Sequence, residues 1–270
     1  MRVDGTGDDF LAVVDQMLSC PNARQLLEDL TIDSENQFQS NFAAGFAYRV
    51  RAVAPGISPS VKAELYRKAA DAFGQAARKA MPSVQGLAEA RHFEHEAFAL
   101  ITEAGLTAEP YTRVSLYERS CAVLDQALST LPVRYRKTRS HLLGWRALCQ
   151  AKANGIRADQ EGDVRNKSAA HEENAYLFAK SAEHYREAGQ ESLAQLSVAW
   201  QSFSAGWSSY FGGDISQARD QFRRALAIFE DFGRSDLLTA CLQCLQPIGM
   251  ELGPLSYEGV HKTGGSKGPG

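Results

Sequence analysis

Two amphipathic segments meeting at Gly212-Gly213-Asp214 constrain this chain more than any other stretch. In the first, Leu193, Leu196, Trp200, Phe203, Trp207 and Tyr210 advance by alternating steps of three and four. At about 3.6 residues per turn, that spacing draws one broad apolar stripe down a helix. The second segment repeats the pattern with Ala218, Phe222, Ala225, Phe229 and Phe232. Asp214 is placed to cap its first turn, with Gln217 able to reach back, and Gly233 suits a left-handed close. Gly206 lies inside the first helix, where it costs about 1 kcal/mol relative to alanine, so a neighbouring helix is expected to approach closely there.

The small–aromatic–alanine spacing of Ala218, Phe222 and Ala225 recurs upstream. Ala69, Phe73 and Ala76 repeat it, Ser181, Tyr185 and Ala188 repeat it again, and Ser120, Leu124 and Ala127 carry it with leucine at the middle place. In chain order the four copies start 51, 61 and 37 residues apart. Each closes a helical hairpin, and the four hairpins are expected over 36–80, 84–131, 135–189 and 191–232. Ser34 with Gln37 is a capping-box candidate for the first, and 55–60 forms its loop. Within the wider intervals, Leu87 to Leu100 reads as a helix ending at Gly105, and Tyr135 to Ala153 as one ending near Gly155, with a charged loop over 157–167. Ahead of the hairpins, 8–20 reads as a helix that Pro21 interrupts before a shorter one through Leu26, Leu27 and Leu30. After them, a closing helix is expected over 235–250. The chain therefore divides into a helical cap (1–35), a repeat body (36–252) and a Gly-rich tail (253–270) expected to be disordered.

Gly206 followed by Ala218, Phe222 and Ala225 resembles the tetratricopeptide repeat, which places its small and aromatic residues at the same offsets. Gly45 and Tyr48 repeat the spacing of that family's first helix, and Pro132 falls at its proline position. Ser209 and Glu230 depart from it, standing where the family prefers tyrosine and proline, and only the 37-residue interval approaches its period of about 34. Lys68, Ala69, Ala70 and Phe73 are also similar to a pattern in the soluble attachment proteins of vesicle fusion. The resemblance implies an all-α fold, a right-handed α-α superhelix of about four hairpins with flanking helices. It also implies a non-enzymatic adaptor that holds a peptide or helix of a partner in a concave groove. The groove would be lined from 36–53, 84–104, 135–153 and 193–210.

Composition narrows the alternatives. A net charge of −3 gives no bulk affinity for nucleic acid or acidic membranes, and no run of about 18 apolar residues is present. The start of the chain, with Asp4, Asp8 and Asp9, does not read as a signal peptide. Cys20, Cys121, Cys149, Cys241 and Cys244 are odd in number and dispersed, as expected of reduced thiols in a cytoplasmic protein.

Three clusters have chemical potential. Arg134, Tyr135, Arg136, Lys137, Arg139, Trp145 and Arg146 interleave cations with aromatics, which suits an anionic or peptide partner as well as a solvated helix start. From this cluster Arg134, Tyr135, Arg136, Arg139 and Trp145, with Tyr210 from the last hairpin, are the partner-binding candidates. Tyr210 and Phe211 are adjacent, so one of them is free to line the groove or pack on the closing helix. Glu89, His92, Glu94, His95 and Glu96 give the Glu-x-x-His spacing of di-iron bundles without a second copy, so a helical-bundle metalloenzyme near His92 and His95 is the alternative, and a peptide-sensing regulator a third reading. Cys241 and Cys244 have CxxC spacing but fall inside a helix, where small buried residues are expected. No nucleophile elbow or phosphate loop is found, so no catalytic residue, cofactor or metal is assigned.

Overall fold

The computed structural model describes residues 22–33 and 36–246, together with Val14, Leu18 and Gly249. Apart from Val14 and Leu18, both helical, the expected helix over 8–20 lies outside the described residues, as do Ser34 and the tail from 253. The described residues hold ten helices and no strand. Before the hairpins comes α1 (Ala23–Asp33); the hairpins are α2 (Gln37–Ala52) with α3 (Pro59–Lys79), α4 (Pro82–Leu106) with α5 (Pro110–Thr130), α6 (Arg136–Gln160) with α7 (Val164–Glu187), and α8 (Glu191–Phe211) with α9 (Ile215–Asp231); α10 (Ser235–Leu245) follows. Every closely packed pair of helices is a pair of sequence neighbours.

Local chemistry sets the helix ends. Pro59, Pro82 and Pro110 open α3, α4 and α5 at the position where a missing N–H costs nothing. Asn36, Asp163 and Asp214 each accept a first-turn amide, Asp214 from Gln217 at 2.9 Å. Gly213 and Gly233 have φ of +87° and +60°, and the residue after each, Asp214 or Arg234, donates its amide back to Ser209 or Phe229 at 2.9 Å.

Two helices run further than their glycines suggest. α4 starts at Pro82 and passes Gly105; α6 passes Gly155 to Gln160, so the charged stretch over 157–167 is mostly helix and only 161–163 form the turn. The reason lies in packing. Gly155 faces only the Asn174 amide at 3.4 Å, Ala158 one turn on is buried, and Asp163 rather than the glycine sets the boundary by capping α7. Closing helix α10 is shorter than expected, ending at Leu245.

Within three hairpins the recurrent aromatic fills the space left by a glycine of its partner helix. A Cβ at Gly45 would lie 2.7 Å from the Phe73 ring, at Gly144 2.7 Å from Tyr185, and at Gly206 2.6 Å from Phe222. All three rings are fully buried, and Ala69, Ala76, Ala218 and Ala225 around them are too. Such approach lets two helices close until ridges seat in grooves. In the second hairpin Leu124 takes the aromatic's place and is equally buried. Ser181 uses its small-residue position to donate to the Gly144 carbonyl on α6 at 2.9 Å and to meet Ser197 on α8 at 3.1 Å, joining three helices.

Candidate functional site on the first-helix layer

The first helices of the four hairpins touch in succession. Arg91 of α4 lies 5.8 Å over the Phe46 ring of α2, Phe98 of α4 is 4.9 Å from Trp145 of α6, and Lys152 of α6 is 3.0 Å over Trp200 of α8. Their apolar stripes are too broad to be consumed by the partner helices alone. Tyr48, Trp145, Leu148, Lys152, Trp200, Trp207 and Tyr210 are therefore left half-buried along this layer.

Beneath the aromatic row is a charged knot. Glu94 is fully buried, with Arg91 Nη1 at 2.6 Å and His141 Nε2 at 3.0 Å, the latter close enough to pair but not aligned as a hydrogen bond. His141 Nδ1 meets Gln190 Oε1 at 2.6 Å, tying α6 to the α7–α8 turn. Burial alone would raise the Glu94 pKa, but the charges of Arg91, His95 and His141 override it and hold the carboxyl well below its usual range. His95, packed 4.9 Å from the Phe73 ring, is pushed down to about 3, first by burial. The knot is a structural joint between α4 and α6, in which the charges face each other.

His92 and His95, three residues apart, point to different places. His92 Nδ1 meets the Ala70 carbonyl on α3 at 2.9 Å, while His95 Nδ1 meets Arg91 O at 2.8 Å. Among the described residues no three His, Cys, Asp or Glu side chains are arranged to hold a metal. Cys241 is buried in α10, and the Cys244 side chain lies outside the described residues.

The basic cluster is divided between the α5–α6 turn and the aromatic row. Arg134 donates to the Ser83 carbonyl and lies 5.0 Å over the Tyr135 ring, and Arg139 donates to Leu128 O at 2.8 Å and Leu131 O at 3.1 Å, so both secure the α5–α6 turn. Arg136 is exposed nearby, and Arg146 pairs with Asp125 at 2.6 Å. Trp145 belongs instead to the aromatic row, 6.0 Å from Tyr185. Tyr210 packs 5.8 Å from Trp207, while its neighbour Phe211 turns to stack on His171 of α7 at 5.7 Å. Tyr210 belongs to the same apolar cluster as Cys241 and Leu245 of the closing helix.

Lys152 was not singled out by the sequence, although a signal existed: Trp145, Cys149 and Lys152 fall on one helical face, putting a cation in an apolar stripe. Its ammonium also lies 5.7 Å from Phe178, whose ring stacks on Trp200 at 6.2 Å. Burial first, then the charges of Arg113 and Arg234, outweigh the opposing influence of Cys241 and lower its pKa to about 7.

Among the described residues no helix is long and apolar enough to cross a membrane. Compared with protein-family models, curated proteins and solved structures, the chain matches none.

Proposed function

We propose that this chain is a non-enzymatic adaptor whose hairpins stack as a tetratricopeptide-like superhelix and whose first-helix layer forms a trough for a peptide or helix of a partner protein. The observation that carries the reading is the row of half-buried aromatic and basic side chains along α2, α4, α6 and α8, of which Trp145, Lys152, Trp200 and Tyr210 are the most prominent. Large rings left half in water on adjoining helices are the kind of surface a partner helix covers, whereas a solvated face would carry charged residues. Aromatic anchors next to a cation also match the composition of residues that dominate binding energy at interfaces.

Hydrogen exchange tests this directly. Peptides selected from a random display library against the intact chain should slow exchange in α4, α6 and α8, and Trp200→Ala should weaken their binding by about tenfold or more. Slowing confined to α3, α5, α7 and α9 would overturn the proposal.

A further inference from the structure

We infer that Lys152 is the anion-binding point of the trough and takes a side-chain carboxylate from an acidic peptide segment; this rests on the reading of the first-helix layer as a ligand trough. Three helices build the point: Lys152 comes from α6, Phe178 from α7 and Trp200 from α8, with the ammonium 3.0 Å from the indole centroid and 5.7 Å from the phenyl. No carboxylate among the described residues pairs with it. The titratable groups close enough to influence it are the thiols of Cys241 on α10 and Cys149 on α6, which favour the ammonium, and the cations Arg113 on α5 and Arg234 at the start of α10, which oppose it. Arg234 also reaches Lys62 on α3, so four cations from four parts of the chain act on neighbouring space. Against them stands Asp236, already engaged by Arg234 at 2.6 Å. Arg113 keeps its buried Nε without a hydrogen-bond partner.

An ammonium held in apolar surroundings without a counter-ion is costly, and the Trp200 face offsets only part of the loss. A carboxylate entering from a ligand supplies what is missing. The surroundings favour a carboxylate over a phosphate, because flat rings flank the ammonium and the Arg234 fork is already engaged by Asp236. The same rings ask for an apolar residue beside the acid. The ligand motif is thus an aspartate or glutamate next to a large apolar side chain.

The probe is the same random peptide library displayed against the intact protein at pH 7. Binders should be enriched in an acid adjoining an apolar residue, and changing that acid to its amide, or Lys152→Met in the protein, should each weaken binding about tenfold or more without adding when combined. Lys152→Arg should retain most of the affinity, and binding should weaken with added salt. Binders that slow exchange in α6 and α8 yet carry no acid, or that bind Lys152→Met unchanged, would sink the carboxylate subsite and leave the trough standing. Failure to select binders, or binders that slow exchange in the second helices alone, would overturn both.

Discussion

Gly206→Ala tests the packing rule on which the hairpins are built. Alanine normally gains about 0.8–1 kcal/mol over glycine inside a helix, so propensity alone makes this substitution stabilising. At this position the new Cβ would lie 2.6 Å from two Phe222 ring carbons, about 1 Å inside ordinary contact. The ring has little room to retreat: Phe222 is fully buried, with Phe203 at 5.3 Å and Trp207 at 5.4 Å between centroids. Overpacking of this kind costs about 1–3 kcal/mol, and subtracting the helix gain leaves a net loss of about 0–2 kcal/mol, or up to roughly 8 °C in Tm. Urea unfolding followed by far-ultraviolet circular dichroism measures it. Gly105→Ala is the control, because nothing lies within 4 Å of its Cβ position, and it should be neutral or stabilising by up to about 1 kcal/mol. Pairing Gly206→Ala with Phe222→Leu should leave the double variant more stable than the two single losses summed, by about 1 kcal/mol. A Gly206→Ala chain more stable than the parent would refute the idea that glycines are there to admit rings.

Arg139→Ala should cost about 1–3 kcal/mol through two lost carbonyl contacts at the α5–α6 turn, while the exposed Arg136→Ala should change stability by less than about 0.5 kcal/mol in the same urea assay. Glu94→Gln should destabilise by about 3–5 kcal/mol, since it leaves Arg91 and His141 without the buried charge they face; a variant as stable as the parent would remove the knot from the account of folding. Stability should fall with acid, because the folded chain holds His95 to about 3 and His171 to about 4, both below the ordinary value of 6.5, so the unfolded chain takes up more protons. Each histidine contributes a slope of up to about 1.4 kcal/mol per pH unit, its contribution being kept in full above pH 6.5 and lost progressively below it; the low carboxyl pKa of Glu94 adds a further loss below about 4.5. Urea midpoints at pH 7 and pH 5 check this, and a flat profile would contradict it.

The hairpin plan was legible because its signals are local. Phe222 and Gly206 are 16 residues apart on helices joined by a short turn, and Asp214 and Gly233 mark ends by chemistry that depends on nearby backbone alone. Gly155 misled because a glycine inside a helix and one ending it look alike until packing decides. The site was harder to read. Arg134 and Arg139 form a basic run in sequence, yet the Arg139 guanidinium is drawn to carbonyls left over at the end of α5 and that of Arg134 to the Ser83 carbonyl at the start of α4. Glu94 finds His141 from 47 residues away, and no local pattern announces that meeting. Lys152 gains its character from Trp200 and Phe178 on two other helices, so only the assembled chain makes it unusual.

That the most closely packed helix pairs are all sequence neighbours has a mechanical corollary. A compact globule resists deformation because distant parts of its chain clamp one another. Hairpins that pack most closely on the next in line are instead compliant, and small rotations at each joint add up along the row. Pulled lengthwise, such an arrangement should yield like a spring, opening by degrees before any hairpin comes apart.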